Sequence, residues 1–494
     1  MESSEYKHVV LSLIFLKFTS DKFEERRQEL IAEGKEKYLE MVDFYKMKNI
    51  FYLPEDCRWE VVMAHAKQAD IAVRIDTALK NIEKKNPSLQ GALPDNYFSR
   101  LGLDTAKLSG LLDTINNIDT LSDKENDVVG RIYEYFLGRF ASSEGKGGGE
   151  FYTPKSVVNL LTQMLEPYKG IVYDPACGSG GMFVQSIKFV KSHQGNTQDI
   201  AVYGQEYTAT TYKLAKMNLA IRGISANLGE VPADTFFKDQ HPDLKADFIM
   251  ANPPFNQSQW REANELENDA RWAGFTTPPT GNANYGWILH MLSKLSVSGT
   301  AGFVLANGSM SSNTSGEGEI RQQLIEKDRV DCMIALPGQL FYTTQIPVCL
   351  WFMTKNKQAQ TFNDDRQNYR NREGETLFID ARNMGSMISR TQKELTADDI
   401  AEIARTYHAW RGETKDGEYE DVAGFCKSAR LEDIQKNDYV LTPGRYVGVA
   451  EEEDDGIPFE EKMGTLSKDL FQQMEQSEKL DQAIRENLKM LGYE

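Results

Sequence analysis

At 494 residues and a net charge of −18, the chain is too long for one ordinary core and too acidic to coat DNA by itself, because phosphate binding runs on positive surface. A hydrophobic content of 40% and a charged content of 26% are those of a folded globular protein and exclude disorder as the main state. Five scattered cysteines, with no CxxC and no histidine cluster beside them, argue against a zinc site and a disulfide framework and suit a reducing cytoplasm.

Residues 1–145 read as a helical domain. SSEYKHVVLSLIFLKFTSDKFEERRQELIAEGKEKYLEM is rich in helix formers with few breakers. Its apolar run VVLSLIFL, at 9–16, is about half a membrane span. It lacks a basic leader and a small-residue cleavage site, so a buried helix is expected rather than a secretory signal or a membrane anchor. Further helices are expected at 58–86 and 123–142, with NPSLQGALPDN at 86–96 as a linker or long turn. No chemistry is visible here, and the expectation is an accessory domain that packs or docks.

SEGKGGGEFYTP, at 143–154, is a glycine-rich loop. It lacks the GxxxxGK[ST] spacing of a phosphate-binding P-loop, as does the rest of the chain, so an ATPase motor is not expected. From 155 onward helices and strands alternate. KSVVNLLTQMLEP is a helix, GIVYDPACGSGG a strand and glycine turn, and MFVQSIKFVKSH a helix. DIAVYGQE is a strand ending in an acid, and YTATTYKLAKMNLAIRG a helix. KADFIMANPPF is a strand ending in a polar–proline loop, and YGWILHMLSKLSVS a helix. Strand GTAGFVLANGSM, a helix at 317–328 and strands VDCMIALP and VCLWFMTK follow. This alternation predicts a parallel, doubly wound α/β sheet over 146–385, which binds ligands at the carboxyl ends of its strands.

Residues 386–494 mix short helices with the acidic run EEEDD at 451–455. A last helix is expected at 463–491. Its heptad positions are Met463, Leu466, Leu470, Gln473, Ser477, Leu480, Ile484, Asn487 and Leu491, six of them apolar, which suits packing on another helix within the protein or between chains. The charge is uneven: 401–494 hold 22 acidic and 12 basic residues, whereas 146–385 hold 24 and 22. The negative excess therefore lies in the tail and not in the α/β region.

Four features fall at strand ends or turns. In DPACGSGG (174–181) the glycines permit close approach of a ligand to the backbone, and Asp174 can accept from a cationic amino group. A plain strand–helix turn with a capping Asp is the bland reading. Glu206 ends the next strand, where a carboxylate can hold both hydroxyls of a ribose; taken alone it reads as an ordinary exposed acid. Asn252-Pro253-Pro254-Phe255 follows strand DFIMA. Two prolines make a rigid loop without backbone donors, and the Asn252 oxygen and a proline carbonyl are then paired acceptors suited to a planar –NH2 group. Phe255 offers an aromatic face for a flat ring. Glu150-Phe151-Tyr152-Thr153-Pro154 precedes the first α/β helix and can close over a ligand, cap the helix with Thr153 as N-cap and Pro154 first in the helix, or do both.

These residues carry a resemblance. SSEYKHVVLSLIFLKFTSDKFEE, GGGEFYTPKSVVNLL, DPACGSGGM, the run from GQE to MNLAIRG, and ANPPFN resemble the modification (methyltransferase) subunits of type I restriction–modification systems, over most of the chain. NPPF after DPACGSGG is specific to amino-methyltransferases, and the motif order looks like the adenine-N6 class. The resemblance implies an N-terminal helical domain (1–145), a Rossmann-like catalytic domain dependent on S-adenosylmethionine (AdoMet) (146–385), and a C-terminal region (386–494) whose helix docks on a partner. It implies methyl transfer to adenine N6 in duplex DNA, without a metal. The implied partners are a specificity subunit that supplies target choice, a second modification subunit and a restriction (motor) subunit.

Carried over by residue, the resemblance places Phe151, Tyr152, Thr153 and Pro154, with Glu150 beside them, at the methionine end of AdoMet. Asp174 and Gly178-Ser179-Gly180-Gly181 hold its amino-acid moiety, Glu206 its ribose and Asp234 its adenine. Asn252, Pro253, Pro254 and Phe255 form the pocket for the target base. Similar proteins have another helical stretch ahead of SSEYKHVVL, so part of the N-terminal interface is expected to be missing here. The insert 256–287 is expected to be a mobile loop over the base pocket. A protein-glutamine N5 methyltransferase shares an Asn-Pro-Pro-aromatic loop, but Phe255 and the large flanking domains disfavour it. A nicotinamide-dependent dehydrogenase fails on GSGG, which does not fit GxGxxG, and a non-catalytic assembly subunit fails on the intact NPPF.

Overall fold

The architecture follows from how each strand divides its side chains. A computed structural model describes residues 3–119, 135, 153–341, 346–362, 368–449 and 459–490. The strands are β1 (Gly170–Asp174), β2 (Ile200–Gly204), β3 (Ala226–Asn227), β4 (Ala246–Ala251), β5 (Leu295–Ala306), β6 (Val330–Ala335), β7 (Val348–Thr354), β8 (Glu375–Asp380) and β9 (Cys426–Arg430). They form one nine-stranded sheet, ordered β9-β8-β6-β7-β5-β4-β1-β2-β3. Alternate residues face opposite sides. Val172, Val304, Leu350 and Phe352 enter one core, and Tyr173, Phe303, Leu305 and Trp351 the other. Helices cover both faces. On the first lie α4 (Lys155–Leu165), α5 (Gly181–Ser192), α6 (Ala209–Ile221) and α9 (Ala397–Arg411). On the second lie α7 (Asn284–Lys294) and α8 (Glu317–Glu326).

The sheet is doubly wound, as expected, but mixed rather than parallel. β7 runs antiparallel to both neighbours, β5 and β6, and β9 antiparallel to β8. The link 336–347 has no helix among its described residues. Without a helical crossover to carry it to the far end of the sheet, the chain turns straight back. The α/β layers also reach past 385: α9 packs on α4, and β9 forms the sheet's edge.

The chain enters the sheet at β1, runs outward through β2 and β3, and returns to β4 on the other side of β1. All four run parallel. The carboxyl ends of β1 and β4 therefore flank the point where winding reverses, which is where doubly wound sheets open a crevice.

The N-terminal part is helical, with α1 (Ser3–Ala32), α2 (Ile71–Lys85) and α3 (Thr105–Asn116) around a separate core. Every residue of 9–16 is buried, so α1 is a central helix enclosed all round. No helix among the described residues is long and apolar enough to cross a membrane. α1 stops at Ala32, and Gly34, at φ +67°, turns the chain away. The single helix expected at 58–86 is two, Trp59–Ala64 and α2, with the polar segment 65–70 turning between them. The segment 123–142, apart from Tyr135, and most of the glycine-rich loop lie outside the described residues.

The chain folds as two units, Met1–Gly448 and Val449–Glu494. The second contains α10 (Phe459–Met490), whose heptad residues Met463, Leu466, Leu470, Leu480 and Ile484 are between 45% and 58% exposed.

Candidate active site

The local sequence explains the shape of the turn after β1. Gly178 and Gly180 take φ +53° and +81°, conformations that L side chains rarely adopt. A Cβ on Gly180 would also stand 3.3 Å from Leu219 of α6. The turn leads into α5 and directs that helix's free N–H groups toward the cleft.

A cleft open to solvent lies over this turn. Thr153, Asp174, Gly178, Ser179, Gly181 and Asn252 line it, so three of the four features meet in one place. Gly180 faces Leu219 instead. Asp174, at the tip of β1, is 2% exposed, and its Oδ1 accepts from the Ala176 N–H at 3.0 Å. Burial pushes its pKa up to about 8. The Ala176 hydrogen bond works against that shift, and the neighbouring Glu206 charge adds to it. A buried carboxyl with one backbone donor suits a ligand that brings a cationic amino group.

Glu206 sits just beyond β2 and braces the turn. Its Oε2 accepts from Gly178 N at 3.1 Å and its Oε1 from Thr208 N at 2.8 Å. Asp234 does not line the cleft. Its carboxylate accepts from Phe236 N at 2.8 Å and holds its own turn. That turn borders the site: Ala233 N donates to Glu206 O at 2.9 Å, and the Thr235 hydroxyl to Pro175 O at 2.6 Å.

Asn252 follows β4. Its Nδ2 donates to Thr153 Oγ1 at 2.9 Å, while its buried Oδ1 has no hydrogen-bond partner. An unmatched buried acceptor is costly, and in a cleft it is matched by a ligand's N–H. Pro253 is buried, and Phe255 is half-buried and edge-to-face with Phe341, centroids 5.9 Å apart. Thr153 is thus tied to Asn252 and is not the helix cap. Pro154 takes the N-cap position of α4, its carbonyl accepting from Val157 N and Val158 N. Glu150, Phe151 and Tyr152 lie outside the described residues.

The insert 256–287 is packed rather than free. Trp260 and Trp272 are 5% and 2% exposed, and their indole N–H groups donate to Pro279 O and Leu266 O, each at 2.8 Å. Arg261 donates to Glu265 O at 2.9 Å and Pro278 O at 2.6 Å. Arg271, paired with Asp269, donates to the carbonyls of Thr235 and Phe236 and so fastens the insert to the Asp234 turn. Two buried indoles and two guanidinium groups engaged by carbonyls explain why it does not behave as an open lid.

Sequence reasoning missed Asn218, Lys155 and Gln185, which also line the cleft, and Phe341 against Phe255. Asn218 alone left a trace, as a polar residue in the buried run of YKLAKMNLA. Away from the cleft, ligand atoms of Glu166, His408 and Glu413 lie within 4.8 Å of one another. Arg411 and Lys415 pair with those carboxylates, and both His408 ring nitrogens are engaged, so the cluster reads as a charge network joining α9 to α4.

The N-6 DNA methylase family model matches residues 124–455, and the HsdM N-terminal domain model matches 1–115. The chain is 48% identical to the type I restriction enzyme HindI methylase subunit of Haemophilus influenzae, over 90% of this chain and all of the relative. It is 40% identical to the MjaIX methylase subunit of Methanocaldococcus jannaschii, over all of this chain and 89% of the relative. In fold it is similar to the type I restriction–modification methyltransferase subunit of Streptococcus thermophilus, with a TM-score of 0.74 at 24% identity, covering 90% of this chain and 96% of that one.

Proposed function

The chain belongs to the N-6 DNA methylase family, and from that membership we propose that it transfers a methyl group from AdoMet to N6 of adenine in duplex DNA, as the modification subunit of a type I restriction–modification assembly. The observation that carries the reading is the Asn252 amide, whose Nδ2 is held by Thr153 and whose buried Oδ1 has no partner, in the cleft shared with the glycine turn.

AdoMet supplies an already activated methyl on a sulfonium centre, so positioning is the main resource the protein must add. Asp174 holds the ligand's ammonium and the glycine turn its carboxylate end. Glu206, beside the turn, accepts from the ribose hydroxyls, and Asp234 orders the segment beside the adenine. Thr153 and Pro154 border the methionine end. The target base leaves the stack, at a cost of a few kcal/mol, and stacks on Phe255. Asn252 Oδ1 and the Pro253 carbonyl accept the two amino hydrogens. This draws the nitrogen lone pair out of ring conjugation and aims it at the methyl group. As the N–CH3 bond forms, the sulfonium S–CH3 bond would break to leave the thioether S-adenosylhomocysteine, and the methylated nitrogen would release one proton to solvent, so neither a metal nor a covalent enzyme intermediate is needed.

The acidic tail and the half-exposed apolar positions of α10 support docking on partner subunits. Target choice then comes from a specificity subunit, a second modification subunit completes the methyltransferase, and a restriction subunit is a further partner. The nearly neutral α/β region is consistent with weak DNA binding by the chain alone.

The test is tritium-methyl transfer to genomic DNA by the complex co-purified with neighbouring operon products. Asn252→Ala should lower transfer at least about 100-fold, the scale for losing one group that stabilises a transition state. Its AdoMet affinity should stay within about twofold, since the cofactor's groups lie elsewhere in the cleft. A variant that methylates near the original rate would overturn this reading.

A further inference from the structure

α6 is shared between two parts of the molecule. Leu214 and Met217 belong to the core of the N-terminal helical domain and are 2% and 1% exposed. Lys213 and Lys216 donate from the same helix to Leu93 O and Gln90 O of that domain, at 3.3 and 3.0 Å. The next two residues, Asn218 and Leu219, meet the glycine turn instead. Leu219 backs Gly180. Asn218 is 2% exposed, lines the cleft, and donates from Nδ2 to Ser179 O at 2.7 Å. Its Oδ1 accepts from Arg222, one helical turn on, which also donates to Asn218 O at 3.2 Å.

The peptide joining Ser179 to Gly180 is therefore fixed at both ends. Its carbonyl is held by Asn218, and its N–H donates to Cys177 O at 2.8 Å. Gly178, at the other side of the turn, is held by Glu206. A peptide plane bonded on both edges cannot flip without breaking a buried hydrogen bond, so the crown of the turn beside Gly181, which lines the cleft, is held in one conformation.

We propose that Asn218, on the helix against which the helical domain packs, is a positioning residue for the cofactor loop, with Arg222 orienting its amide, and that this pair of bonds sets AdoMet affinity. This deepens the methyltransferase reading and rests on the cleft being the AdoMet site. The buried Asn218 amide thus donates to the crown of the turn through one end and accepts from Arg222 of its own helix through the other.

The experiment uses the full chain and measures AdoMet binding by calorimetry, with KM and kcat in the assembled complex. Asn218→Asp keeps the acceptor for Arg222 but turns an oxygen toward the Ser179 carbonyl. It should weaken AdoMet about tenfold, the scale of one buried hydrogen bond. KM for AdoMet should rise with it, while kcat at saturating AdoMet and KM for DNA hold within about twofold. Arg222→Met leaves the cleft intact and should weaken AdoMet in the same direction. The double variant should be no weaker than Asn218→Asp alone, because both act through one bond. Should the aspartate variant fail to fold, Arg222→Met decides alone. Lower melting temperatures with an unchanged Kd in the folded protein would show a merely structural role and overturn the proposal. No AdoMet binding by the wild-type chain would overturn the site reading first.

Discussion

Asn252 and Thr153, 99 residues apart in sequence, meet in a 2.9 Å hydrogen bond in which the Asn252 amide donates to the Thr153 hydroxyl. The bond fixes the orientation of the amide: Nδ2 is engaged, and the buried Oδ1 is left without a hydrogen-bond partner. The segment before α4 and the loop after β4 thus act as one device.

Thr153→Val tests that coupling, because it keeps the shape and removes the acceptor. Single-turnover methyl transfer should slow about tenfold, the scale of one buried hydrogen bond. Thr153→Ser, which keeps the hydroxyl, should restore most of it. An unchanged rate in the valine variant would mean that Asn252 orients itself.

With Asp174 holding the AdoMet ammonium, as proposed, cofactor binding depends on pH. With a pKa raised from 3.8 to about 8, its carboxyl must lose a proton before it can hold an ammonium group at neutral pH. AdoMet affinity should rise about tenfold per unit as pH climbs toward 8, then fall as the ligand's own amino group titrates. Without ligand the sign is opposite to a salt-bridged acid: stability is lost as pH rises from 3.8 toward 8, because the folded chain binds the proton more tightly. Calorimetry at pH 6.5 in two buffers of different ionisation enthalpy should show about one proton released, and pH-independent affinity between 6 and 8 would contradict it.

The insert after Phe255 should resist proteases as the chain stands. Trp260→Ala, which removes an indole packed 4.4 Å from the Phe236 ring, should destabilise by about 3–5 kcal/mol and expose 261–283 to cleavage. Cleavage there at equal rates in both proteins would return the insert to the class of open lids.

Glu413 should govern acid stability. Burial alone would push its pKa up. The Arg411 guanidinium and the His408 hydrogen bond outweigh that and hold it at about 2. Its folded pKa lies below the ordinary 4.5, so the stability it confers is present above 4.5 and is lost as pH falls through about 2. Glu413→Gln leaves Arg411 buried without its carboxylate, at a cost of about 3–5 kcal/mol. Melting temperatures between pH 6 and 3 should therefore drop more steeply in the wild type than in the variant.

Most of the residues that share the cleft were legible because they sit in contiguous motifs at strand ends. Asp174, the glycine turn and Asn252-Pro253-Pro254-Phe255 each announce a backbone conformation or a donor set through local sequence alone. Thr153 was found but given the wrong partner, since capping is a local rule and its partner is 99 residues away. The mobile-lid reading of 256–287 failed for a similar reason. Polar, proline-bearing sequence looks like open loop until Trp260 and Trp272 are seen in the core.

The sequence by itself determined the alternating α/β plan, the buried first helix and the placement of the two main motifs at strand ends, because periodicity, glycine and proline act within a few residues. Only the tertiary structure decided that β7 turns back antiparallel, that burial raises the Asp174 pKa to about 8, and that Asn218 donates to the Ser179 carbonyl in the glycine turn. Each of these depends on which distant groups share a low-dielectric interior. That distribution is set by strand order and helix packing, and no local pattern encodes it.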